Sequence, residues 1–208
     1  MNSDKWANPQ FMWDERFSQP EPVYGHQPNS YLRAQVARLK PGMKILVPGD
    51  GYGRNGIWLA QQGFRVYTVD LSPIGVERAQ KAARDAGVDM TIECADLSTW
   101  NWPIARFDAV ACIFLHLPPE VRASVHRNVL EALKPGGFLV LEAFTPAQLQ
   151  HTSGGPKQVE LLYTADILRQ DFHAAEALQL EETEIQLDEG RMHRGPAAVV
   201  RAVFRKNS

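Results

Sequence analysis

Residues 45–56 read ILVPGDGYGRNG: an apolar run, a proline, then four glycines in eight positions. The apolar run has the pattern of a strand buried on both faces. Residues 55–62 follow at once with helical spacing, so the glycines form the turn between a strand and a helix. That unit opens a parallel βαβ arrangement, and the next hundred residues repeat it. Residues 65–70 (RVYTVD) read as the second strand. Ser72 caps a helix with Pro73 in its first turn, running to about Asp85. Residues 90–94 and 107–114 are further strands, residues 119–133 are helical, and Lys134-Pro135-Gly136-Gly137 turns the chain into a fifth strand at 138–144.

After Phe144 the alternation stops. HTSGGPK (151–157) is expected to be a mobile loop, and residues 165–172 a short helix behind Thr164. Residues 178–187 and 197–204 have no helix between them, so they form a hairpin and one of them runs antiparallel. Upstream, SYLRAQVARL (30–39) is helical behind a Ser cap and is stopped by Pro41-Gly42. Residues 1–30 carry Trp6, Phe11, Trp13, Phe17 and Tyr24 among prolines, and so aromatic a segment is expected to pack on the domain. The fold class expected is α/β: a doubly wound, Rossmann-like seven-stranded sheet with helices on both faces and a C-terminal antiparallel hairpin strand.

Composition excludes several classes. A chain of 208 residues can bury a substantial core. A formal charge of −2 offers no generally basic surface for nucleic acid. The longest apolar runs fall far short of the roughly 20 residues a bilayer span needs, and MNSDKWANPQFMWDERF lacks the order of a signal peptide. The expectation is a cytoplasmic protein, monomer or weak dimer, with neither nucleic acid nor membrane as partner. Cys94 and Cys112 fall in apparent strands and are expected to be buried free thiols, and no Cys/His pair has metal-ligand spacing.

The glycine loop admits two cofactors. Residues 51–56 are a formal G-x-G-x-x-G, the dinucleotide fingerprint. Shifted by two, residues 49–53 are a G-x-G-x-G of the kind found in S-adenosylmethionine (SAM) enzymes. Asp70, 19 positions after Gly51, ends the second strand, where an acidic residue binds ribose hydroxyls in either case. The third strand separates them. It is followed by Ala95-Asp96-Leu97, whose carboxylate can accept from an adenine amino group, and LKPGG (133–137) with the terminal hairpin also favours SAM.

On WDERF (13–17), YGHQPN (24–29), GYGRNGIWLAQQGFRVYTVDLS (51–72), ADL (95–97) and LKPGG, the chain resembles the class I SAM-dependent methyltransferases over nearly its whole length. Within them it is similar to the small bacterial tellurite-resistance and thiol methyltransferase group. The resemblance implies SAM as cofactor and a small-molecule methyl acceptor, a thiol or a selenium or tellurium oxyanion. N- or O-methylation of a small metabolite, or a non-catalytic SAM-binding regulatory module, stay open as alternatives. It implies one domain over residues 1–208: an aromatic lid and helix (1–40), a SAM-binding core (41–145) and an acceptor-side part (146–208). The cofactor residues it implies are Gly49, Asp50, Gly51, Gly53, Arg54, Asp70, Leu71, Asp96, Leu97 and Ile113, with Trp13 and Tyr24 of the lid walling the methyl group. Arg54 is expected to pair with a carboxylate. His116 after the fourth strand, and His193 with Arg194 in EGRMHRG, are the catalytic candidates: two bases and a fixed cation. One departure stands out. Many class I enzymes carry an acidic residue two positions before the first glycine, where this chain has Val47, and Asp50 is expected to take over part of that role.

Overall fold

The computed structural model describes residues 8–208, so Trp6 lies outside the described residues. Seven strands form one sheet: β1 (Lys44–Pro48), β2 (Arg65–Asp70), β3 (Thr91–Cys94), β4 (Phe107–Ile113), β5 (Leu133–Phe144), β6 (Ala175–Asp188) and β7 (Arg194–Lys206). Their order is β3-β2-β1-β4-β5-β7-β6. The first five run parallel and β7 is antiparallel to both neighbours, so β7 is the reversed member of the expected hairpin. The chain winds outward from β1 to β3, then returns to the other side of β1 with β4. That reversal places a switch point, and with it a crevice, beyond the ends of β1 and β4.

The alternation of side chains along each strand divides the core into two layers. Ile45, Val47, Ala109, Ala111, Ile113 and Val140 face one way, packing against Tyr31, Leu32 and Leu59 of α2 (Ser30–Gln35) and α3 (Arg54–Gln61). Leu46, Val110, Cys112, Leu139 and Leu141 face the other, against α5 (Pro119–Ala132) and α6 (Ala165–Asp171). Because both faces are covered, the central strands are continuously apolar. Ser72 caps α4 (Pro73–Asp85) by accepting from Gly75 N at 3.0 Å, and Thr164 caps α6 by accepting from Ile167 N at 3.2 Å.

The structure departs from expectation in several elements. The helix from residue 30 is capped by Asn29, whose Oδ1 accepts from Leu32 N at 2.8 Å, and it tightens into a 3₁₀ turn at Val36–Arg38. LKPGG belongs to β5: Leu133 pairs with Phe107 and Phe138 with Ala109, and a register shift absorbs the extra residues. A helix not foreseen, α1 (Pro9–Phe17), starts behind Asn8, whose side chain accepts from Phe11 N at 3.1 Å. Residues 151–157 are no free loop, because Ser153 is buried and donates to Pro196 O at 2.6 Å. Cys94 and Cys112 are both free, but Cys94, on a short edge strand, is exposed. Among the described residues no helix is long and apolar enough to cross a membrane.

Candidate functional site

The turn after β1 needs glycine for space as well as for backbone freedom. Gly51 has φ 59°, and a Cβ there would lie 2.6 Å from the Phe17 ring. Its amide donates to Asp70 Oδ2 at 2.7 Å, while Asp70 Oδ1 accepts from Ser72 N at 2.9 Å. Asp70 therefore pins the glycine loop to the start of α4, and its oxygens keep lone pairs for a further donor. Burial pushes this carboxyl up to about 6. Asp50 is used differently. Its carboxylate turns back onto α3, accepting from Gly56 N at 2.9 Å and Asn55 N at 3.3 Å, which supplies the side-chain cap that Gly53 lacks. Burial raises it to about 7. Asp50 thus serves α3 first, and like Asp70 it keeps lone pairs for a further donor.

Two cavities meet above the loop. The first, of about 250 Å³, is bounded by Asp70, Leu71, Asp96, Leu97 and Ser98 with Leu115, Leu117 and Val121. The second, of about 180 Å³, lies over residues 49–52 and is bounded by Ile113, Phe114, Phe144, residues 155–158 and His193, with Trp13, Arg16 and Tyr24. Gly49, Trp13, Phe17, Phe114 and His116 line both, so the two are one continuous site. Every expected cofactor residue borders this space except Gly53, which instead takes a left-handed φ of 86° as the N-cap of α3 and packs on Ala79. Asp96 borders it as the first residue of a turn, its carboxylate accepting from Ser98 N at 2.8 Å.

α1 covers the site. Phe17 is buried between Trp13, stacked at 5.5 Å, and the edge of Tyr52 at 5.6 Å. Arg78 of α4 donates to Phe17 O at 2.6 Å, and Ser72 Oγ donates to Asp14, so the helix is tied to the start of α4. Tyr24 N donates to Tyr52 OH at 2.9 Å, and Arg16 donates to Tyr24 OH at 3.0 Å.

The three catalytic candidates part company here. His193, only 5% exposed, packs against Tyr24 and Phe114, each at 4.6 Å, and Phe144 at 5.4 Å. Its Nδ1 has no hydrogen-bond partner; Glu189 Oε2 is 3.9 Å away, too far to bond. Burial holds its pKa below the ordinary value against the pull of Glu189, leaving a neutral imidazole at pH 7. Phe114 stands beside it with a left-handed φ of 51°, a strained conformation for a non-glycine residue. His116 lines the same space but has both nitrogens occupied: Nδ1 donates to Leu161 O at 2.7 Å and Nε2 accepts from Phe144 N at 3.3 Å. Burial lowers it to about 4. It is a structural histidine in this arrangement. Arg194 points out of the site, with its side chain 78% exposed and 3.8 Å from Asp188.

Arg54, which borders the cavity, pairs with Glu189 of this chain at 2.7 Å. Burial opposes ionisation of Glu189, but the Arg54 guanidinium at 2.7 Å outweighs it and holds the carboxyl down at about 2. Asn29 Nδ2 donates to Glu189 Oε1 at 3.0 Å and to Glu142 Oε2 at 2.5 Å, and Arg201 donates to Glu142 Oε1 at 2.6 Å. Sequence reasoning missed Asn29, Glu142 and Glu189, although Asn29 ends YGHQPN and Glu189 opens EGRMHRG. It also missed the 151–157 segment. Gln148 Nε2 donates to Ser153 Oγ at 3.0 Å and Gly154 O at 3.1 Å, holding a strap so close to His193 that a Cβ at Gly154 would lie 2.8 Å from its ring. No group of three or more His, Cys, Asp or Glu among the described residues could hold a metal ion.

Comparison with known proteins follows the same outline. Residues 45–137 match the family model described as a methyltransferase domain. The chain is 30% identical over 195 residues to a thiopurine S-methyltransferase of Nitrosospira multiformis, covering 84% of this chain and 83% of the relative. It is 24% identical over 136 residues to a 2-heptyl-1-hydroxyquinolin-4(1H)-one methyltransferase of Mycobacteroides abscessus, covering 64% of this chain and 60% of that relative's length. In fold it is similar to the N-methyltransferase NodS of Bradyrhizobium japonicum, solved with S-adenosyl-L-homocysteine (SAH). The TM-score is 0.76 at 16% identity, covering 97% of this chain and 100% of that one.

Proposed function

The chain belongs to the class I SAM-dependent methyltransferases, and on that footing we propose that it methylates a small-molecule acceptor whose nucleophile is a thiol or a selenium or tellurium oxyanion. The observation that carries this reading is the pair of adjoining cavities, unlike in character, above the glycine loop. Around the first, Asp70 offers carboxylate oxygens to ribose hydroxyls, and Leu71, Leu97 and Leu115 make an apolar slot suited to a purine. Around the second, the aromatic side chains of Trp13, Tyr24 and Phe114 suit a sulfonium cation. These residues fit SAM, which supplies a methyl group made electrophilic by its sulfonium.

The chain's own residues do the rest. Cover by α1 excludes water, which favours attack of an anion on a cation. Aromatic walls that hold both partners supply positioning, and an acceptor already ionised needs little else. For an acceptor that arrives protonated, His193, a neutral imidazole bordering the cavity, is the group able to receive the proton. The sulfur chemistry in the name of the Nitrosospira relative supports the soft-nucleophile reading. The test is an acceptor screen with SAM, following SAH release from thiols, selenite, tellurite, small amines and phenols. Turnover on thiols or chalcogen oxyanions in preference to the others is expected. Turnover confined to amines or phenols would move the reading to N- or O-methylation, and SAM binding without turnover would favour a regulatory module.

A further inference from the structure

We infer that Arg16, on the N-terminal helix, receives the α-carboxylate of SAM, so that α1 is part of the cofactor site as well as its cover; this rests on the cofactor reading above. The amino-acid end of SAM brings a carboxylate into the cavity over the glycine loop, and a carboxylate leaving water requires a cation. Three cationic side chains border that cavity: Arg16, Arg54 and Lys157. Arg54 is already committed, with Nη2 on Glu189 at 2.7 Å and Nη1 on Gln27 O at 2.9 Å. Lys157 is exposed on the strap that packs against His193, at the acceptor side, with its Nζ 3.4 Å from His151 O.

Arg16 differs from both. It is half-buried, and among the described residues it forms no ion pair with any carboxylate. What holds it is neutral: Nη1 donates to Tyr24 OH at 3.0 Å, and the guanidinium lies 4.9 Å over the Trp13 ring. Those contacts fix the orientation of the planar fork without neutralising its charge, and they leave four of its five N–H donors uncommitted. A pre-oriented, uncompensated guanidinium beside the glycine loop is the chemistry that a carboxylate ligand completes.

The test is calorimetric titration of the full chain and of Arg16→Met with SAM, SAH and decarboxylated SAM, which lacks the α-carboxylate. Met keeps an unbranched stem against Trp13 and removes the charge. Arg16→Met should weaken SAM and SAH by about ten- to hundred-fold, the range of a charge-assisted hydrogen bond, and leave decarboxylated SAM within about twofold of the wild type. Arg16→Lys should recover part of the loss, and only for the carboxylate-bearing ligands. Retained binding of decarboxylated SAM also shows that the variant is folded. Equal weakening of all three ligands would make Arg16 a packing residue and overturn the inference, as would unchanged SAM affinity in Arg16→Met. A wild-type chain that binds none of the three would overturn the cofactor reading itself, and the assignment with it.

Discussion

Asp50 and Asp70 flank the same loop, yet their neighbours give them different duties. Asp50 has both oxygens on α3 amides, whereas Asp70 spans Gly51 and Ser72 beside the larger cavity. Asp70→Asn keeps the shape and one acceptor oxygen but loses the charge, and it should weaken SAM binding by about 1.5–3 kcal/mol. Burial places the Asp70 carboxyl at about 6, so the stronger, ionised acceptor is present above that pH and lost below it. SAM affinity should therefore rise from pH 5 to pH 7.5 in the wild type and change less in Asp70→Asn, as read by calorimetry. An affinity that does not move across this window would take the ribose off that carboxylate. His193→Ala should lower turnover about 10²-fold on un-ionised acceptors while SAM affinity stays put. The loss should shrink for acceptors ionised at the assay pH, and a parallel loss of SAM binding would remove the proposed role. Asp70 was legible in the sequence because loop and strand spacing determine where it falls. His116 and His193 could not be told apart there, since each is a lone histidine in a segment that follows a strand. What separates them is that Phe144 and Leu161, distant in the chain, occupy both nitrogens of one and neither of the other.

At the scale of elements, the βαβ core could be read from periodicity, whereas the two segments that close the site could not. α1 buries Met12 and Phe17 but leaves Phe11 67% exposed, so its apolar residues form no single stripe. Its signals were local: Asn8 as cap and Pro9 at the first helical position. The 151–157 segment has loop composition, and its order comes from Gln148, Pro196 and His193, contacts that no local pattern encodes. Both segments give testable expectations. Deleting residues 1–20 should leave a folded core that binds SAM weakly, and added SAM or SAH should protect the segment from protease in the full chain. A truncated chain with full SAM affinity would make α1 mere packing. Gly154 has φ 120° and faces the His193 ring, so Gly154→Ala combines backbone strain with a steric clash. It should cost about 1–3 kcal/mol in urea unfolding and depress turnover more than SAM affinity, because the strap borders the acceptor side.

Across the whole molecule, polar groups from remote segments hold the site's parts together. Asn29 joins Glu142 of β5 to Glu189 of the hairpin turn, Arg54 ties that turn to the start of α3, and Arg201 of β7 answers Glu142. His116 does the same on the other side, linking the end of β4 to Phe144 and Leu161. Such links were illegible in the sequence because each partner alone looks like an ordinary polar residue. They also make stability depend on pH. A buried imidazole held at about 4 binds fewer protons in the folded state than in the unfolded chain, where its value is near 6.5. Its contribution is therefore intact above pH 6.5 and is lost as pH falls towards 4. Asp50 and Asp70, raised to about 7 and about 6, act in the opposite sense, so the overall slope mixes both. A difference measurement isolates the histidine. His116→Gln should destabilise the fold at pH 7, through lost packing and at least one lost hydrogen bond, but it no longer charges when the chain unfolds. The penalty should therefore shrink by about 2 kcal/mol between pH 7 and pH 5, read as the change in unfolding free energy of wild type minus variant in urea at each pH. A penalty that is the same at both values would mean that His116 titrates alike in folded and unfolded chains, and would withdraw the structural role assigned to it.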